Sequence, residues 1–300
     1  MKGFFGSVLI LPIMLFYSNL HSQILPADTV FHQKRFAVVA SVEGVLYTGS
    51  LAWLYSNWYN KFTKSSFHTF NDNTEWLQMD KAGHSFTSYT FGRAAYDLMR
   101  YIGVKENKAL IFGGGLGLIY LSTVEIFDGV SSSWGFSFGD MAANTFGTAL
   151  FVSQQMVWKE QRLLIKYSFH STSFPQYRPN TLGSTTLENI LKDYNGQTYW
   201  LSANISNFLP ESFTFPKWLN LAVGYGVDGL LGGYANPQNS QTPIFDRSRQ
   251  YYLALDVDLT KIKTDNQFLK FLFNTFSFLK IPLPAVQFGT KGTAFYPIYF

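Results

Sequence analysis

An α+β fold is predicted: an N-terminal bundle of about four helices, partly of membrane type, then an antiparallel β-rich half, a sheet or partial barrel. Three observations predict it. Polar and small residues recur at helical spacing between Asp80 and Trp158. Beyond Trp158 the apolar period becomes two, in four successive runs. Finally, the 300 residues are 47% hydrophobic and 18% aromatic but only 14% charged, against roughly 25% charged in an average soluble domain. Rings in a charge-poor chain point to a membrane or its interface. The expected divisions are a signal peptide at 1–22, a helical bundle domain at 23–158 and a β-rich domain at 159–300.

Residues 1–22 read as a secretory signal. Lys2 is followed by an apolar run from Phe4 to Tyr17 and by small Ser22, which places cleavage before Gln23. The run is short for a bilayer span of ~20 residues, which leaves an uncleaved anchor as the alternative. Cleavage removes Lys2 alone among charged residues, leaving 22 basic against 19 acidic side chains. With no basic run, that small excess gives no nucleic-acid partner. There are 0 Cys, which excludes disulfides, thiol catalysis, Cys-ligated zinc and a Cys-linked lipid.

Residues Phe36 to Tyr59 hold one charge, Glu43, and close on Trp53, Trp58 and Tyr59. That suits a spanning helix with an interface belt, or equally a buried helix of a soluble bundle. Residues Lys61 to Gln78 read as a loop. The second helix, about Lys81 to Ile102, has Asp80, His84 and Ser88 on one side and Arg93, Asp97 and Arg100 roughly opposite. A helix polar on two sides needs neighbours or water around it. The third, about Ala109 to Phe127, opens on glycines that lack the Lys-Ser or Lys-Thr of a phosphate loop. Gly113 and Gly117 form instead a small-x-x-x-small pair for close helix approach. The fourth, about Asp140 to Trp158, carries Asp140, Asn144, Gly147, Phe151 and Gln154 on one stripe.

Strands are expected at Leu163–His170, Tyr199–Ser206, Leu219–Asp228 and Tyr251–Leu259, with shorter ones at Ala285–Phe288 and Ala294–Phe300. The closing Phe300, with Tyr296 and Ile298 on its parity, resembles the last strand of outer-membrane barrels. Pro297 weakens that likeness by removing a ladder donor, and six strands fall short of the ~8 with which single-chain barrels begin. Helical pieces at Thr185–Tyr194 and Asn266–Leu279 interrupt the strands; the second is apolar enough to lie in a membrane interface or to cover the sheet.

Six polar residues could converge if the three helices pack side by side: Asp80, His84, Glu125, Asp128, Asp140 and Asn144. Such a group could hold a divalent cation through oxygens and one imidazole. It could also present His84 as a base oriented by Asp80, Glu125 or Asp140, or simply fasten the bundle. In the fastening reading Asp80 is an N-cap, Ser137 and Asp140 form a capping box, Lys81 pairs with a neighbouring acid, and Gly113, Gly117 and Gly147 let helices touch.

Asp80-Lys81-x-x-His84-Ser85-Phe86, then Glu125-x-x-Asp128, then Trp134-Gly135-Phe136-Ser137-x-x-Asp140 with Asn144 and Gly147, resembles the YfiM-like family of predicted periplasmic lipoproteins of unknown function. It is more distantly similar to VanZ-like membrane proteins. The likeness spans about residues 79–155 and implies an envelope location and no reaction. The expected function is therefore that of an exported envelope protein associated with membrane lipid, at the outer more than the inner membrane, in a non-enzymatic structural or interaction role. The alternative is a metal- or His/carboxylate-dependent hydrolase or transferase acting on an envelope lipid or glycan.

Overall fold

The computed structural model describes residues 27–300 except 58, 60–62, 211 and 239–242, so the signal segment and Trp58 lie outside the described residues. Four long helices come first: α1 (Gln33–Asn57), α2 (Met79–Tyr101), α3 (Leu116–Gly129) and α4 (Phe138–Trp158). Six strands follow: β1 (Leu163–Phe169), β2 (Gln197–Asn204), β3 (Leu219–Asp228), β4 (Ser248–Val257), β5 (Leu283–Gly289) and β6 (Gly292–Tyr299). The α+β order holds. The helices outnumber the expected four, because α3 is preceded by a turn at Glu106–Lys108 and a π-turn at Ala109–Gly113, while Pro179–Leu182, α5 (Thr186–Lys192) and α6 (Gln267–Thr275) lie among the strands.

The π-turn ends at a close helix contact. A Cβ on Gly113 would lie 2.8 Å from the Tyr96 backbone, so α2 and the start of the third helical segment touch main chain to main chain. α2 itself starts abruptly. Trp76, Leu77 and Gln78 are all left-handed, with φ of 48°, 50° and 65°, which costs on the order of 1–3 kcal/mol each. The β half holds them there: Trp76 N donates to Gly233 O at 2.8 Å, Arg249 Nη2 to Gln78 Oε1 at 2.8 Å, and Tyr225 OH to Leu77 O. The first turn of α2 is thereby aimed by the sheet.

The sheet is an antiparallel meander in the order β1 to β6, with no β6–β1 ladder among the described residues. Across it, Ile165, Leu201, Val223, Leu253, Val286 and Phe295 stand in one row. At the β1–β2 end this apolar face is core: Phe86 of α2 packs on Tyr167 and Tyr199, each at 5.8 Å between ring centres. From Leu201 onward the helices no longer cover it, and Leu201, Leu221, Val223, Leu253, Leu255 and Phe295 are exposed.

The opposite parity is buried, reversing the usual apolar-in, polar-out arrangement. Lys166, Ser202, Asn220 and Asp256 are within 1% of complete burial. Lys166 Nζ meets Asp256 Oδ2 at 2.7 Å, and Ser202 Oγ donates to the same oxygen at 2.6 Å. The sheet curls enough to fill its own concave side: Tyr299 of β6 stacks 4.6 Å from Tyr252 of β4 and 5.9 Å from Trp200 of β2. Gly224 makes room for Trp200, since a Cβ there would come within 2.7 Å of the indole.

Lys280 also enters this interior, 4.7 Å above the Trp200 ring. Burial pulls its ammonium down to about 8, with Asp256 opposing and Lys166 assisting. A base held below its unfolded value binds fewer protons folded than unfolded between about pH 8 and pH 10.5, so stability rises with pH in that window and the penalty is full below it. Lys280→Met is expected to raise the melting temperature at pH 7, by the equivalent of roughly 2–3 kcal/mol, and to flatten that alkaline rise. Thermal melts from pH 7 to about pH 10 check both.

Two helices, Gln33–Ser56 and Glu106–Gly129, are long and apolar enough to cross a membrane by length and composition alone. Of the apolar stretch of each, 44% is buried by protein in the second and 17% in the first.

Candidate functional site

The first turns of α2 and α4 and the last turn of α3 meet at one end of the bundle. Asp80, His84, Glu125, Ser137, Asp140 and Asn144 are buried there together. Sequence reasoning treated Asp72 as loop, yet it belongs to the cluster and is fully buried. No periodicity could have flagged it, because Asn71-Asp72-Asn73 lies in irregular chain between α1 and α2.

Lys81 is the hub of one half. Its Nζ lies 2.8 Å from Asp72 Oδ1, 2.9 Å from Asp80 Oδ2 and 2.7 Å from Asp140 Oδ1. Burial by itself lowers the ammonium, but Asp80 and Asp140 outweigh it and hold Lys81 above the ordinary lysine value. Asp80 is no N-cap: α2 begins at Met79 after Gln78, without a side-chain cap, because the left-handed turn occupies that position. Its carboxylate serves Lys81 instead. Burial, opposed by Lys81 and reinforced by Asp140, pushes Asp80 up to about 6.

His84 is the hub of the other half. Nδ1 lies 2.9 Å from Asn144 Oδ1. Nε2 faces Asp140 Oδ1 at 3.7 Å and Glu125 Oε1 at 3.9 Å, outside direct hydrogen-bond range. Burial lowers the imidazole, but Asp140 and Glu125 raise it more, and the net direction is up. Glu125 is pushed up to about 8, mainly by burial and then by Asp140.

Ser137 joins the halves. As N-cap of α4 its Oγ accepts from Asp140 N at 3.1 Å and donates to Asp72 Oδ1 at 2.6 Å. In a capping box the third helical residue would take the N-cap's own N–H; here Ser137 N donates at 2.9 Å to Glu125 Oε2 from α3. Asp140's side chain is thereby freed for Lys81 and His84.

Asp128, one turn beyond Glu125, accepts from Tyr59 OH at 2.9 Å. The three glycines line the helix contacts beside the cluster. A Cβ on Gly117 would come within 2.3 Å of Ser88 O, and one on Gly147 within 2.1 Å of Ser85 O. Ser88 Oγ in turn donates to Asn144 O at 2.8 Å.

Chemically, the cluster can do two things. It can tie three helices and the 72-loop together by charge-assisted bonds, or it can hold a cation between the imidazole and the carboxylates. Two groups have ligand atoms within 4.8 Å of one another: His84, Glu125 and Asp140, and Asp72, Asp80 and Asp140. The Lys81 ammonium already occupies the second.

Residues 68–155 match the family described as predicted periplasmic lipoprotein (DUF2279). The match takes in Asp72 and every polar member of the cluster, and it supports an exported protein of the cell envelope. Comparison with curated proteins and with solved structures found no match.

Proposed function

We propose that this is a non-enzymatic protein of the cell envelope that rests on a membrane, the outer one before the inner, through the uncovered apolar face of its sheet. One observation carries the reading: the row Leu201–Val223–Leu253 and its neighbours Leu221 and Leu255 face outward and exposed, while polar side chains of the same strands are buried. Contiguous exposed apolar surface of this kind marks a membrane or protein contact.

Several features favour lipid. Exposed Phe288, Phe295 and Phe300 extend the face toward the chain terminus, as aromatic rings do at headgroup level. An apolar cleft of about 450 Å³ lies between β1, α5 and residues 276–282, lined by Phe86, Leu187, Ile190, Phe276 and Phe300 among others. The sheet lies on the membrane rather than crossing it, since an open sheet edge leaves backbone groups unsatisfied in hydrocarbon and six strands are fewer than single-chain barrels use. The narrower likeness to YfiM-like and VanZ-like proteins, carried by the Asp80–His84, Glu125–Asp128 and Ser137–Asn144 motifs, is compatible with this placement.

The test is flotation with vesicles of phosphatidylethanolamine and phosphatidylglycerol, alongside separation of inner and outer membranes after expression. Wild type is expected to float and to fractionate with the outer membrane. Leu201→Asp, Val223→Asp and Leu253→Asp together are expected to weaken partitioning roughly a hundredfold, at about 1 kcal/mol for each charge near the interface. Recovery of the wild type in the detergent-free periplasmic pool, with no flotation, would overturn the proposal.

A further inference from the structure

The His84 half of the cluster has a shape and a charge that its own side chains do not complete. Nδ1 is occupied by Asn144 Oδ1 at 2.9 Å. With that oxygen as acceptor, Nδ1 carries the proton of the neutral ring and Nε2 presents a lone pair. That lone pair faces two carboxylate oxygens, at 3.7 and 3.9 Å. Lys81 reaches one of these three electron-rich atoms, Asp140 Oδ1, and the repulsion that remains between Nε2 and Glu125 is relieved by a proton or a metal ion between them. Glu125 is fixed by Ser137 N on Oε2, which leaves Oε1 for the shared space. Asp140 contacts Lys81 through Oδ1, and its Oδ2 is fully buried with no hydrogen-bond partner among the described residues. Asp80 Oδ1 is in the same condition.

The charge count points the same way. Four buried carboxylates, those of Asp72, Asp80, Glu125 and Asp140, surround Lys81 and His84. Once an ion takes the Nε2 lone pair the ring is neutral, Lys81 is the remaining cation among these side chains, and the ionised carboxylates leave an excess that one divalent ion largely cancels. Donors around a tetrahedral zinc stand roughly 3.4 Å apart, given bonds of about 2.0–2.2 Å, so the two imidazole–carboxylate separations need close by only a few tenths of an ångström, and all three ligand atoms already lie within 4.8 Å of one another. Metal-ligating histidines usually donate their other ring N–H to a fixed oxygen acceptor, a part that the amide oxygen of Asn144 can play here.

We infer that His84 Nε2, Glu125 and Asp140 form a buried site for one divalent first-row transition metal ion, which joins α2, α3 and α4. The imidazole selects against magnesium and calcium, and the two carboxylates against a soft monovalent ion. The site is independent of the membrane face and fastens the bundle whether or not the sheet meets lipid.

The experiment uses the full chain, purified in detergent, stripped with chelator and dialysed. Zinc, manganese, magnesium and calcium are then offered singly, and bound metal and melting temperature are read. Wild type is expected to retain about one zinc per chain and to melt several degrees higher with it, as a ligand of the native state requires. Magnesium and calcium are expected to do neither. Glu125→Gln, which keeps the acceptor for Ser137 N, is expected to lose at least tenfold in zinc affinity and to lose the thermal shift. Should that variant not fold, His84→Gln takes its place. Failure of stripped wild type to bind zinc or manganese or to gain thermal stability from either would overturn the inference, because protons then satisfy the cluster. Unchanged binding in folded Glu125→Gln or His84→Gln would overturn it as well, by locating the ion elsewhere.

Discussion

Lys81→Met, measured with chelator present, is expected to lose roughly 3–5 kcal/mol of stability, the cost of breaking a buried ion pair by removing one partner. The magnitude follows from what is left behind. Asp72, Asp80 and Asp140 each place an oxygen within 2.9 Å of Nζ, and all three are completely buried. Without the ammonium, three carboxylates face one another away from water, and at least one must take up a proton. Against a total stability of about 5–15 kcal/mol, the loss is a large share of what keeps the chain folded. Lys81→Arg is expected to recover only part of it, because a planar fork presents its donors in fixed directions and cannot converge on three oxygens as one ammonium does. Denaturant melts in mild detergent decide the matter. A Lys81→Met protein as stable as wild type would mean that the carboxylates are neutralised by something other than Lys81.

The residues of this cluster were readable in sequence to the extent that helix geometry could speak. The spacing of Asp80 and His84, and of Asp140 and Asn144, puts each pair on one helix face, and a hairpin of α2, α3 and α4 brings those faces to Glu125. What spacing could not supply was Asp72, which reaches the cluster from irregular chain and is bound there by Lys81 and Ser137. Nor could it supply the cap of α2, since three left-handed residues are imposed from outside by Gly233, Tyr225 and Arg249.

The strands show a similar boundary. Period two identifies strands and says which side chains share a face, and the observed elements follow the expected runs closely. It is silent on which face is inside. Lys166 and Asp256 stand on the polar parity, yet they are buried and paired at 2.7 Å. The reversal depends on the curl of the sheet and on where α2 docks. Both are set by long-range contacts such as Phe86 on Tyr167 and Tyr199 and Tyr299 on Tyr252.

Gly147→Ala and Gly49→Ala, the same substitution in two helices, are expected to move stability in opposite directions. At Gly49 in α1 nothing lies within 4 Å of an added Cβ. Only the intrinsic preference of a helix for Ala over Gly remains there, worth up to about 1 kcal/mol in favour of the variant. At Gly147 in α4 the same methyl would stand 2.1 Å from Ser85 O and 2.2 Å from Ser88 Oγ. Ser88 Oγ can rotate, but Ser85 O is main chain of α2 and moves only with its helix. Relief therefore requires α2 and α4 to separate, and that motion drags Asn144 from His84 and Asp140 from Lys81, since all four sit within a turn or two of the contact. The overpacking alone costs typically 1–3 kcal/mol, and the strained polar bonds add to it, so Gly147→Ala is expected to lose about 3 kcal/mol or more despite its gain in helix propensity. Paired thermal melts of the two variants check the sign as well as the size. Equal stability in both would mean that α2 and α4 yield to a methyl group without cost, and the bundle could not then be what holds the His84 cluster in register.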